Sequence, residues 1–108
     1  MRPLATVALI LILSLVGCSN HFYRIKGDTL HLYLKKTGAK DVLFAFSKDG
    51  YEPRQALNVD SSTWEVTVPS GIEFTYFYIV DGAIVRPSCQ FTEKDDFGSK
   101  NCIFIPGL

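Results

Sequence analysis

Histidine is nearly absent from this 108-residue chain, methionine and tryptophan occur once each, and neither charge sign is in excess, with 11 basic against 11 acidic side chains. Each shortage excludes something. With His21 and His31 as the only histidines, far apart in sequence and unlike a paired-ligand spacing, no zinc set can be assembled with the cysteines. Nor is there a Ser/His/acid order suited to nucleophilic catalysis. Asp95 and Asp96 are adjacent carboxylates on one loop and point apart, so they do not make the facing pair of a glycosidase. A Gly-rich phosphate loop is missing. The balanced charge removes the electrostatic case for nucleic acid or for an anionic lipid surface. No helical period is sustained, and there are no internal repeats or low-complexity segments. The chain is therefore expected to be non-catalytic, with no cofactor and no metal.

One apolar run is present, from Leu4 to Val16, and it ends in Gly17-Cys18-Ser19-Asn20. A spanning helix needs roughly twenty apolar residues, so this run is too short. With Arg2 ahead of it and small residues at its end, it has the form of a signal peptide. Leu15-Val16-Gly17-Cys18 resembles the lipobox of bacterial lipoproteins. The resemblance implies diacylglyceryl transfer to the Cys18 thiol, cleavage after residue 17, acylation of the new amino terminus, and attachment to a membrane by lipid alone. Ser19 implies, in a Gram-negative cell, an outer-membrane lipoprotein on the periplasmic face.

Cleavage removes Arg2 and leaves ten basic against eleven acidic side chains on residues 18–108, enough for one small domain. With Cys18 carrying lipid, Cys89 and Cys102 remain as a pair in an oxidising compartment. A disulfide between them is the natural reading, and two free thiols are the alternative. Residues 18–27 read as a lipidated tether. Its His21, Phe22, Tyr23 and Ile25 are too bulky for a flexible spacer and either pack on the domain or lie at the lipid interface.

Residues 28–108 read as short strands separated by turns, with eight Phe, five Tyr and one Trp to fill a small core. Leu30, Leu32 and Leu34 alternate onto one face, as do Val42, Phe44 and Phe46, then Trp64, Val66 and Val68. Gln55 to Val59 makes a weak strand. The stretch from Glu73 to Val80 is apolar on both faces, the pattern of a central strand. Asp81-Gly82 signals a tight hairpin into Ala83-Ile84-Val85, and Asn101 to Ile105 supplies the last strand. His31 lies on an outer face, where it is expected to be solvated. Gln90 to Lys100 is the longest loop, held at its base by Cys89 and Cys102. The expected fold is an all-β, Ig-like sandwich of about seven strands.

Trp64 to Gly71, Phe74 to Gly82, Pro87, Gly98 and Asn101 together resemble the early-set glycogen- and starch-binding domains of carbohydrate-binding module family 48 and the isoamylase amino-terminal type. The resemblance spans about residues 41–105 and implies the same sandwich, with α-glucan as a possible ligand. The family's sugar-stacking tryptophans are replaced: one falls in the stretch Phe46 to Tyr51 and the other at Ile84, while Phe77 stands where a lysine is common. Tyr51 could supply one platform, and Asn101 matches a sugar-contacting position. Two functions are thus expected in order. First is an envelope interaction module that binds a protein through a strand edge or through Tyr51, Ile84, Arg86, Asn101 and the Cys89 to Cys102 loop. Second is a glucan-binding module using Tyr51 and Asn101, with a purely structural lipoprotein as a third reading.

Overall fold

The structure is a computed structural model that describes residues 20–108; Cys18 and the rest of the lipobox lie outside the described residues. The chain folds as an all-β sandwich of ten strands, numbered in order: β1 (His21–Lys26), β2 (Thr29–Lys35), β3 (Val42–Phe46), β4 (Arg54–Gln55), β5 (Leu57–Asn58), β6 (Thr63–Pro69), β7 (Phe74–Val80), β8 (Ala83–Val85), β9 (Thr92–Lys94) and β10 (Lys100–Phe104). A single 3-10 turn, Ser47–Asp49, follows β3. One antiparallel sheet has the order β1-β2-β6-β5. The other has the order β4-β3-β7-β10-β9, with β8 also paired to β7.

Alternation fills the core as expected. Leu30, Leu32 and Leu34 of β2 pair with Val68, Val66 and Trp64 of β6, and all six are buried. Facing them, Val42, Phe44 and Phe46 of β3 pair with Val80, Tyr78 and Tyr76 of β7, also buried. β7 is central, as its two apolar faces implied, because β3 takes one edge and β8 and β10 share the other. Among the described residues, the Trp64 indole Nε1 is the one buried side-chain polar atom without a hydrogen-bond partner.

Ten strands rather than about seven arise from three local causes. Residues 21–26, whose bulk suggested packing on the domain or at a lipid interface, form edge strand β1, in full register with β2 from His21↔Leu34 to Lys26↔Thr29. The stretch from Gln55 to Val59 is divided at Ala56, where the chain leaves β4 in one sheet and enters β5 in the other. The long loop carries its own strand, β9, hairpinned onto β10. At the β7–β8 turn Asp81 and Gly82 both have positive φ, 49° and 85°, as a primed hairpin turn requires. The Asp81 Oδ1 also accepts the Lys40 and Asp41 amides at 2.9 and 2.8 Å, tying that turn to the β2–β3 loop.

His31 differs from its expected solvated state. Its Nδ1 lies 3.1 Å from Glu65 Oε2 across the β2–β6 pair, with the His side chain only 19% exposed. The Glu65 carboxyl is held below its ordinary range, first by the hydrogen bond from Tyr33 and then by His31.

His21 anchors β1 to the core. Its Nε2 is 3.1 Å from the hydroxyl of Tyr78, a fully buried side chain, and its ring meets Tyr76 and Tyr78 at 5.7 and 5.5 Å. Burial lowers its pKa from 6.5 to about 4. The folded protein therefore keeps His21 neutral where the unfolded chain takes up a proton. This contribution to stability is complete above pH 6.5 and falls as pH drops from 6.5 towards 4. The expected total loss is on the order of 3 kcal/mol. In urea unfolding at pH 7.5 and 4.5, His21→Gln should show a smaller loss between the two pH values than the native chain; an equal loss in both would contradict the assignment.

Candidate functional site

The outer face of the larger sheet is the apolar one. Because residues directly opposite in an antiparallel pair share a face, Leu43, Ile79 and Ile84 form one row across β3, β7 and β8, and Ala45 and Phe77 form the next. A groove of about 310 Å3 opens beside the second row, lined by Tyr51, Phe77, Arg86, Asp95, Asp96, Phe97 and Asn101. Three of the four residues singled out from sequence, Tyr51, Arg86 and Asn101, thus meet in one place. Ile84 is on the same face beside the groove, 55% exposed, and does not line it.

Tyr51 is held in an unusual way. Its φ is 65°, in the left-handed region that costs a side-chain-bearing residue about 1–2 kcal/mol. The conformation is sustained by three contacts: its amide donates to the Phe46 carbonyl at 2.9 Å, its hydroxyl lies 2.5 Å from Thr75 Oγ1, and its ring stacks on Phe77 at 5.7 Å and 18°. Strain of this kind concentrates at functional positions. Arg86 is fixed on the same platform, its guanidinium 5.9 Å from the Phe77 ring centroid and its Nε donating to Asn101 Oδ1 at 3.2 Å. Asn101 itself is only 6% exposed, so its amide oxygen serves to position Arg86.

The loop between β9 and β10 completes the groove. Asp95 Oδ1 accepts the amides of Phe97 and Ser99 at 2.9 and 3.0 Å, and the Asp95 amide donates to the Ser99 carbonyl at 2.8 Å. Gly98, at φ 84°, supplies the left-handed residue that this turn needs. Asp95 is therefore a structural carboxylate, and its turn carries Phe97 at the tip, 94% exposed. The Cys89–Cys102 disulfide forms, with Cα atoms 5.9 Å apart, and pins the base of this segment to β10.

Phe77 is not among the candidate residues that the sequence offers, and Phe97 is covered there only as part of the Cys89 to Cys102 loop. Phe77 was hidden in a strand apolar on both faces, where alternation does not say which side is solvent. Phe97 carried a signal: Asp95-Asp96-Phe97-Gly98 has the Asp and Gly of a tight turn around an aromatic.

Among the described residues no cluster of three or more His, Cys, Asp or Glu is placed to hold a metal, and no helix is long and apolar enough to cross a membrane. Compared with known proteins, the chain matches no family model and no curated protein.

If Tyr51 is strained, glycine should be tolerated there better than alanine, the reverse of the order found at ordinary positions. Tyr51→Gly is expected to be more stable than Tyr51→Ala by about 1 kcal/mol in chemical denaturation. A higher stability for the alanine variant would show that the left-handed backbone carries no cost.

Proposed function

We propose that this chain is a non-catalytic lipoprotein of the cell envelope, anchored by lipid on Cys18, whose sandwich docks another envelope protein on the outer face of its larger sheet. In a Gram-negative cell the expected site is the periplasmic face of the outer membrane. The anchor rests on the run Leu4 to Val16 and the Leu15-Val16-Gly17-Cys18 sequence that follows Arg2. The observation that carries the docking reading is the surface made by Tyr51, Phe77, Ile84 and Phe97 around Arg86. Aromatic residues and arginine are enriched where protein interfaces concentrate their binding energy. Here Tyr51 and Phe97 stand exposed around the half-buried Phe77, with Arg86 already held by Asn101 and Phe77. Pre-positioning lowers the ordering cost of binding.

The sandwich also offers strand edges. β4, β5 and β9 are two or three residues long, and the longest edge strand is β1. The three short edges give little length for strand addition, whereas the six-residue β1 offers more, so the choice of the sheet face rests on its aromatic residues and Arg86.

The second reading, binding of α-glucan, is favoured by one observation. Tyr51, Arg86 and Asn101 line a single groove with Phe77 as a further aromatic, a combination of flat rings and hydrogen-bonding groups that suits a sugar. Against it stand the engagement of the Asn101 oxygen by Arg86 and the absence of an exposed tryptophan platform.

A photoreactive phenylalanine analogue placed at position 97 in cells should give one discrete protein adduct, and the same probe at Leu57 should not. Arg86→Glu is expected to reduce that adduct by about tenfold or more, the scale of an interface arginine. In parallel, maltoheptaose is titrated against the purified protein and amide shifts are followed. No adduct, together with saturable shifts around Tyr51, Arg86 and Asn101 that Tyr51→Ala abolishes, would select the glucan reading instead.

A further inference from the structure

The two sides of the sandwich are closed differently. On one side the chain itself passes from sheet to sheet at Ala56, between β4 and β5. On the other, β1 faces β10 through the edge-on contact of Tyr23 and Phe104, at 5.4 Å, and no backbone crosses among the described residues. A groove of about 310 Å3 remains there. Its lining includes the first three strand residues, His21, Phe22 and Tyr23, with Phe91, Ile103 and Ile105, while Ser88 and Gln90 add uncharged polar groups. No Lys, Arg, Asp or Glu side chain lines it, although one residue in five of this chain is charged. The histidine in it is kept neutral by burial. Such a groove suits an uncharged, apolar guest, and its volume, at the small end of ligand pockets, suits one narrow chain rather than a bulky ring system.

We propose that this groove receives one acyl chain of the lipid carried by Cys18 of the same molecule. The inference rests on the lipoprotein reading above and adds to it a seat for the lipid. It follows from chain length. β1 begins at His21, so only Ser19 and Asn20 separate the wall of the groove from Cys18, three residue steps with a reach of at most about 10 Å. Asn20 is already fixed, its carbonyl accepting the Lys35 amide at 2.8 Å. An acyl chain on Cys18 is therefore confined to the neighbourhood of the groove at high effective concentration, which no free ligand shares. Tyr23 and Leu108, 43% and 65% exposed, stand beside the groove as apolar surface that a hydrocarbon would cover. Seating a chain there draws the domain against the membrane on its β1–β10 side and leaves the outer face of the larger sheet free.

The full chain is produced in bacteria fed a fatty acid with a diazirine at its far end, membranes are irradiated, and the purified protein is measured intact and after proteolysis. Intact mass reports lipidation of Cys18 separately. If Cys18 bears no acyl group, the lipoprotein reading and this inference both fall. With Cys18 acylated, the expected product is an internal link from the Cys18 lipid to peptides containing Phe91 or Ile103 to Leu108, enriched over peptides containing Leu57 to Ser62. Tyr23→Glu, at a position 43% exposed on the edge strand, is expected to lower the internal link by about fivefold or more, since a carboxylate disfavours hydrocarbon beside it. Two results on acylated protein would overturn the proposal while leaving the anchor intact. One is labelling scattered over the surface. The other is labelling of the groove only by phospholipid, recognised by a headgroup that phospholipase releases.

Discussion

The hydroxyl of Tyr78 belongs to a fully buried side chain, where an unpaired polar group would cost about 1–3 kcal/mol. Its partner is His21, the first residue of the first strand, reaching across from the other sheet. That single bond explains much of the arrangement around it. It gives β1 a fixed point in the core, which an edge strand with exposed Tyr23 and Ile25 otherwise lacks. It takes the imidazole out of water and so lowers its pKa. It also sets one end of the groove between β1 and β10, because the strand is held at His21 while Tyr23 meets the opposite sheet at Phe104.

The two apolar surfaces of the molecule have different origins. The groove beside β1 is a consequence of topology, since among the described residues the chain closes the opposite side of the sandwich, at Ala56, and leaves this one open. The outer face of the larger sheet is a consequence of composition. β7 carries Phe77 and Ile79 on the side away from the core, and β3 and β8 add Leu43 and Ile84 beside them. The turns then decorate this face: the strained Tyr51 from the segment after β3, and Phe97 from the Asp95 turn. The disulfide holds the second of these in place by joining Cys89 to the middle of β10. The two surfaces lie apart, one on the sheet face and the other at the sandwich edge, so the proposed docking and the proposed lipid seat do not compete for the same residues.

Period-two alternation made the core strands legible in the sequence, because each of β2, β3 and β6 has one face in the core and one outside, and a slip of one residue would invert them. It failed at three places for physical reasons. β1 has the look of a tether in the sequence because Arg24 and Lys26 interrupt its bulky residues and its last four residues are exposed, so no buried face shows in the pattern. The break at Ala56 was invisible because two residues of strand on either side carry too little pattern to show that they belong to different sheets. The partner of His31 is not visible in the sequence because Glu65 is thirty-four residues away and adjacent only through strand pairing.

By itself, the sequence determined the class of fold, the inward residues of the core strands and the Asp81-Gly82 hairpin. All of these follow from local spacing and from residue chemistry acting over a few positions. Only the tertiary structure decided that Tyr51, Arg86 and Asn101 share one groove while Ile84 stands beside it, that Phe77 and Phe97 complete the surface, and that His21 is a core residue. Those facts depend on which strands lie side by side and which sheet each edge faces, and side-chain periodicity along a single strand carries no information about its neighbours.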